Sequence, residues 1–142
     1  AYKKDGRYAE DLNTSFDKVL VDAPCAGNYV NDEYFGTVSE DDVASLVTIQ
    51  QHLLDGGRAV LRPGGVLVYS TCSLDPRENE EQIQGFLDYY DDMRLVDTGL
   101  DIGESIQGEL GLDDAMRKTR RLWPQDHETE GFFVAKLQKS PS

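Results

Sequence analysis

Two short apolar runs, FDKVLVD at residues 16–22 and VLVYS at residues 66–70, flank a long stretch with helical spacing. This arrangement constrains the fold more than any other feature of the chain. Phe16, Val19, Leu20 and Val21 make a near-continuous apolar block, the pattern of a strand buried on both faces of a parallel sheet. Between the two runs, Val43, Leu46, Val47, Gln50, Leu53 and Leu54 recur at helical intervals. Parallel strands need a crossover of that kind, so the segment reads as strand, helix, strand.

The local signals set the limits of these elements. Ser39 is expected to cap a helix over residues 40–61, with Asp42 three positions on in the place usually taken by Glu. The pair Gly56–Gly57 is expected to weaken or bend that helix. RPGG at residues 62–65 is expected to end it and turn the chain. ENEEQIQGFLDYY, residues 78–90, predicts a second helix with carboxylates in its first turn and Ile83, Phe86, Leu87 and Tyr90 along one face. Strands are predicted at residues 93–97 and 131–139, joined by a long acidic connection over residues 98–116. With no helical crossover evident between them, these two strands are expected to form an antiparallel pair at the sheet edge. The fold class is α/β.

A length of 142 residues suits one domain, and a hydrophobic fraction of 39% supports a packed core rather than disorder. No apolar run approaches the ~20 residues that span a bilayer, so no membrane association is expected. Residues 1–15 are polar, form a poorly defined lead-in and carry no apolar signal segment; a cytoplasmic protein is expected. The first residue is Ala rather than Met, consistent with a processed protein or a piece of a longer one. The net charge of −13 makes the chain a weak non-specific holder of nucleic acid, since phosphate contacts need Lys and Arg. Arg117, Lys118, Arg120 and Arg121 form a local basic group within the acidic whole. It reads either as a solvated helix face or as a patch for RNA.

Chemistry concentrates at two points. Cys25 follows the first strand by three residues, and Cys72 lies just beyond the second. In open α/β sheets, functional groups gather at the carboxyl ends of strands. Each cysteine is flanked by turn-forming or hydroxyl residues: Pro24 beside Cys25, Thr71 and Ser73 beside Cys72. A small buried hydrophobe is one reading of either residue. A pair of functional thiols facing one pocket is another. A redox pair is a third, although the tight spacing of dithiol motifs is absent. Asp22 reads as a turn aspartate or as an acceptor for a heterocycle or a cofactor amine. Glu78 to Glu80 read as a helix start. There is no CxxC, and His52 and His127 stand isolated, so no metal site is expected. His127 reads as a structural hydrogen-bonder or as a contact to a base.

DAPC at residues 22–25, LRPGGVLVYSTCSLDPRENE at 61–80 and RRLWPQDHETEGFFVAKL at 120–137 together resemble the RNA cytosine-C5 methyltransferases of the Nol1/Nop2/Sun (Fmu) group, in a form closest to its archaeal members. The similarity runs from about residue 16 to the end. It implies the distal half of a Rossmann-like S-adenosylmethionine-dependent methyltransferase sheet with an antiparallel edge strand, residues 1–142 being the C-terminal portion of a catalytic domain. It implies that Cys72 is the nucleophile that adds to C6 of a cytosine, making C5 able to attack the methyl group of S-adenosylmethionine. Cys25 corresponds to the thiol that helps release the adduct. Asp22 corresponds to the acid that contacts the base and the cofactor, and Pro24 to the residue that shapes its turn. A lowered pKa follows for Cys72, with no base evident beside it. The implied partner is tRNA or rRNA, presented with its target base unstacked.

The chain departs from the family pattern in three ways. No Gly-rich strand-to-helix segment precedes Phe16, so S-adenosylmethionine is expected to be bound largely by a missing N-terminal half, and the isolated chain is expected to be inactive. PCAGNY stands where relatives often carry Gly-x-Gly after the PC pair. VNDEYFGTVSEDD stands where many carry a basic stretch, which moves the expected RNA contact toward residues 117–121. A truncated relative that binds RNA or acts as a scaffold without chemistry is the alternative reading.

Overall fold

The computed structural model describes residues 15–24, 40–73, 75–99, 116, 118–122 and 132–141. In chain order these form β1 (Phe16–Asp22), α1 (Glu40–Ala59), β2 (Leu61–Thr71), α2 (Glu80–Tyr89), β3 (Met93–Val96), β4 (Arg120–Leu122) and β5 (Phe132–Lys139). β1 and β2 run parallel, with Val19 opposite Leu67 and Asp22 opposite Ser70. The sheet order is β1-β2-β5-β3. The expected antiparallel pair is β3–β5, and β5 enters between β2 and β3, antiparallel to both. β4 was not expected; it pairs with the first residues of β5, Arg121 opposite Phe133, while β3 pairs with the last ones, Leu95 opposite Leu137.

One apolar core joins the helices to the sheet. Leu54 of α1 and Ile83 and Phe86 of α2 pack in one cluster with Val21, Leu67, Tyr69, Leu95, Phe133, Ala135 and Leu137. These strand residues alternate along their strands, so they share one face of the sheet. The other face includes Leu20, which is 69% exposed, with Val66 and Val68 half-buried. Burial of β1 on both faces is therefore not seen among the described residues, because both helices cover the same side. An apolar run reports hydrophobicity and does not say which element covers it.

Two glycine-containing stretches differ from expectation. α1 continues unbroken through Gly56–Gly57. A β-carbon on Gly57 would lie 2.9 Å from Leu67 Cδ1 and 3.3 Å from Val21 Cγ2, so the glycine lets the helix lie close against β1 and β2. RPGG does not separate helix from strand; it lies inside β2, which starts at Leu61. Between the pairs Phe16–Leu61 and Lys18–Val66 the register shifts, and the extra residues of β2 form an irregularity at its amino end. Gly64 sits at φ +80°, in the left-handed region. A β-carbon on Gly65 would come within 2.8 Å of the Arg62 carbonyl oxygen and 2.9 Å of that of Asp17. The Lys139 ammonium donates to the carbonyls of Leu61 (2.9 Å) and Arg58 (3.2 Å), tying β5 to the same end.

Candidate active site

The carboxyl ends of β1 and β2 lie side by side. Ala23 N–H donates to the Ser70 carbonyl (3.0 Å), extending the parallel ladder one residue past β1. Asp22, Pro24 and Cys72 are all exposed there. Three of the four residues singled out in the sequence thus share one edge of the sheet. Cys25 lies outside the described residues, as do Arg117 and His127.

A buried polar network stands behind Cys72. Thr71 and Ser73, on either side of it, are fully buried. Thr71 Oγ1 donates to Asn79 Oδ1 (2.5 Å), and Asn79 Nδ2 donates to the Ser73 carbonyl (2.8 Å). Ser73 N–H donates to Thr71 Oγ1 (3.2 Å), and Ser73 Oγ donates to the Glu78 carboxylate. The Tyr69 hydroxyl donates to the Glu78 carbonyl (2.7 Å). Asn79 thus precedes α2 without capping it through its side chain, which closes the Cys72 turn instead. Buried polar groups need partners, and here those partners fix the backbone on both sides of the thiol. Further along the turn, Asp75 accepts from Arg77 Nη2 (2.6 Å), and the Arg77 hydrogen bond holds its carboxyl below the usual carboxylate range.

α1 supplies the link between the two strand ends. Gln50 is fully buried, and its Nε2 donates to the Pro24 carbonyl (2.9 Å) and to Glu78 Oε1 (3.1 Å). Gln50 stood on the expected apolar stripe of the helix. An amide at such a position is the only sequence signal of this role. Glu78 to Glu80 do mark a helix start, with α2 beginning at Glu80, and the side chains of Glu78 and Asn79 serve the buried network as well.

The basic group at the C-terminal side divides. Arg121 is 1% exposed and grips Glu80 through two hydrogen bonds, Nε to Oε2 (2.6 Å) and Nη2 to Oε1 (2.7 Å). It lies in β4, so it is neither on a solvated helix face nor available to RNA. Its partner supplies the reason: Glu80 is itself completely buried, and a buried carboxylate requires a cation. Lys118 is exposed and Arg120 half-buried. Among the described residues no group of three or more metal-ligating side chains occurs, and no helix is long and apolar enough to cross a membrane.

A strand–helix–strand unit that leaves Asp22 and Cys72 exposed at adjoining strand ends has the layout in which α/β folds place their sites. Solved structures narrow it to a methyltransferase fold: a methyltransferase homolog from Pyrococcus horikoshii matches with a TM-score of 0.84 at 41% identity, over 97% of this chain and 44% of that one. NSun6 from the same organism matches with a TM-score of 0.82 at 33% identity, over 97% and 34%. Residues 1–138 match the family described as 16S rRNA methyltransferase RsmB/F, and the chain belongs to that family. Among curated relatives, a tRNA (cytosine(49)-C(5))-methyltransferase of Pyrococcus abyssi is 39% identical over 142 residues, 96% of this chain and 46% of the relative. The 25S rRNA (cytosine-C(5))-methyltransferase nop2 of Schizosaccharomyces pombe is 38% identical over 148 residues, 95% of this chain and 24% of the relative. The chain therefore spans less than half the length of these relatives.

Proposed function

We propose that this chain carries the reacting residues of a cytoplasmic RNA cytosine-C5 methyltransferase acting on tRNA or rRNA. The observation that supports the reading best is the placement of Asp22 and Cys72, both exposed, at the ends of adjacent parallel strands in the register Asp22 opposite Ser70. The Cys72 thiolate adds to C6 of the target cytosine, and the electron pair moves toward C5. S-adenosylmethionine, when bound, would supply the methyl group that C5 takes up, its S–CH3 bond breaking to leave S-adenosylhomocysteine. Cys25, as thiolate, then takes the C5 proton, the electron pair re-forms the C5–C6 double bond, and the C6–S bond breaks to release Cys72 as thiolate. Asp22 hydrogen-bonds the ring as charge develops on it.

The residues present fit part of a cofactor site. The Asp22 carboxylate is exposed at a strand end, where it can accept from a cofactor amine. The Pro24 carbonyl already accepts from Gln50, so Pro24 contributes by shaping the turn. Most of the cofactor contacts belong to residues beyond this chain, and the isolated 142 residues transfer no methyl group.

The test is incorporation of labelled methyl into tRNA and rRNA by a protein that joins this chain to an upstream half like that of its relatives. Cys72→Ala is expected to abolish incorporation. Cys25→Ala is expected to accumulate a covalent protein–RNA species. Full activity of Cys72→Ala, or of the isolated chain, defeats the proposal.

A further inference from the structure

A groove of about 350 Å³ lies between α1 and α2, and the proposed chemistry uses none of its lining residues. α1 contributes Gln51 and Asp55, α2 contributes Gly85, Phe86 and Tyr89, and Tyr90 follows directly after α2. Gly85 lies inside α2 without a positive φ, a place where glycine is destabilising relative to alanine. A β-carbon there would meet nothing within 4 Å. Neither its backbone conformation nor packing among the described residues calls for glycine, in contrast to Gly57 and Gly65. What the missing side chain does is leave the groove open.

The lining is made for a cation. The Tyr89 and Tyr90 rings meet edge to face, 4.8 Å between centres and 78° between planes, and Tyr90 also packs on Phe86 (5.0 Å). Arg58 already lies 4.0 Å from the centre of the Tyr90 ring, with its charge spent on Asp92 through two hydrogen bonds (2.9 and 2.6 Å). Tyr89 is 79% exposed, so its ring is open to a second cation. Asp55 is half-buried; its Oδ1 accepts from the Tyr90 hydroxyl (3.0 Å), and among the described residues no donor meets Oδ2. We infer that the α1–α2 groove docks an arginine side chain presented by a basic polypeptide. A planar guanidinium can stack on Tyr89 while it donates to Asp55, which the point charge of lysine does less well. A basic segment also complements the net charge of −13. The same charge opposes RNA, whose phosphates would meet Asp55.

The test titrates the isotope-labelled 142-residue chain with a blocked peptide of repeated Arg-Gly-Ser and follows amide shifts by NMR. Saturable shifts are expected at Gln51, Gly85 and Tyr89. Gly85→Leu fills the groove from an open position; it is expected to melt no lower than wild type and to bind about tenfold more weakly or worse. Asp55→Asn keeps an acceptor for Tyr90 but loses the charge, and a loss of about tenfold is again expected. Asp88→Asn removes the same charge from an exposed position outside the lining and is expected to stay within about twofold of wild type. Equal weakening by Asp55→Asn and Asp88→Asn would mean general attraction between opposite charges and overturns the inference. Shifts that never saturate, or undiminished binding by Gly85→Leu, overturn it too. Should Gly85→Leu fail to fold, Tyr89→Ala takes its place with the same expected loss. A single-stranded RNA that moves the same amides at lower concentration than the peptide overturns the polypeptide partner.

Discussion

The two ends of the β1–β2 pair are built on different principles. At the carboxyl end, Gln50, Thr71, Ser73, Glu78 and Asn79 are buried in one hydrogen-bonded network, and the equally buried Arg121 grips Glu80, the next residue in sequence. At the amino end, the irregularity of β2 is accommodated by Gly64 and Gly65, and the ion pairs are half-exposed or exposed. Arg58 grips Asp92 (2.6 Å) with both side chains about one-third exposed or less, and Arg62 reaches Asp17 (3.2 Å) across open surface. Arg58 also lies 4.0 Å from the centre of the Tyr90 ring. Burial and a hydrogen bond to Asp55 push the Tyr90 hydroxyl up to about 12, so it stays protonated at neutral pH. The contrast teaches where the fold tolerates adjustment. Buried polar groups penalise any shift, because each lost partner exposes a desolvated atom. Surface pairs follow a shift at little cost.

That contrast can be broken by experiment, and the largest effect is expected at Arg121. Arg121→Ala leaves Glu80 buried without its cation, which should cost about 3–5 kcal/mol in a urea-unfolding measurement. Replacing both partners, Arg121→Met with Glu80→Leu, should recover most of that loss. A cost at Arg121 no greater than at Asp92 would erase the distinction between the two ends. Gly65→Ala tests whether the amino end has a rigid point of its own. Its added methyl meets two backbone oxygens, and a loss of roughly 2–3 kcal/mol is expected in the same assay. Asn79→Ala removes two buried hydrogen bonds and should cost about 1–3 kcal/mol. It should also change the alkylation rate of Cys72, whereas Gly65→Ala should leave that rate alone.

The smallest effect is expected at Asp92, and it depends on pH. The hydrogen bond from Arg58 holds the Asp92 carboxyl below its ordinary value. A carboxylate whose folded pKa is depressed stabilises the fold above its unfolded pKa, and that stabilisation is lost as pH falls through the folded value. Asp92→Asn should therefore cost under about 1 kcal/mol at pH 7. It should also flatten the fall in melting temperature below about pH 4, where the unfolded carboxylate titrates. A cost at pH 7 as large as that for Arg121→Ala would mean that the amino end is as tightly specified as the carboxyl end.

The sequence was legible where periodicity is local. β1, α1, β2, α2 and β3 all announce themselves through spacing, and the strand-end positions of Asp22 and Cys72 follow directly. Long-range pairing left weaker traces. Arg120–Leu122 is too short to show a strand period, so Arg121 read as part of a basic surface although its partner lies 41 residues away. RPGG carries the same Pro and Gly signals whether it turns the chain or bulges a strand; only the register against β1 distinguishes them. Glu78, Asn79 and Glu80 fit a helix start so well by local preference that nothing nearby pointed to their buried partners. Leu20 belongs to an apolar run, and its exposure depends on which side the helices take.

The position of β5 has a consequence for how this protein is made. Its sheet partners β2 and β3 are translated well before it, yet they do not pair with each other; each waits for the same late segment. While a ribosome is still adding residues 97–131, β2 has, among the described strands, β1 beside it on one edge only, and β3 has none of them as a neighbour. Such waiting edges are where nascent chains go astray, so this domain would depend on holdase chaperones until residue 139 clears the exit tunnel.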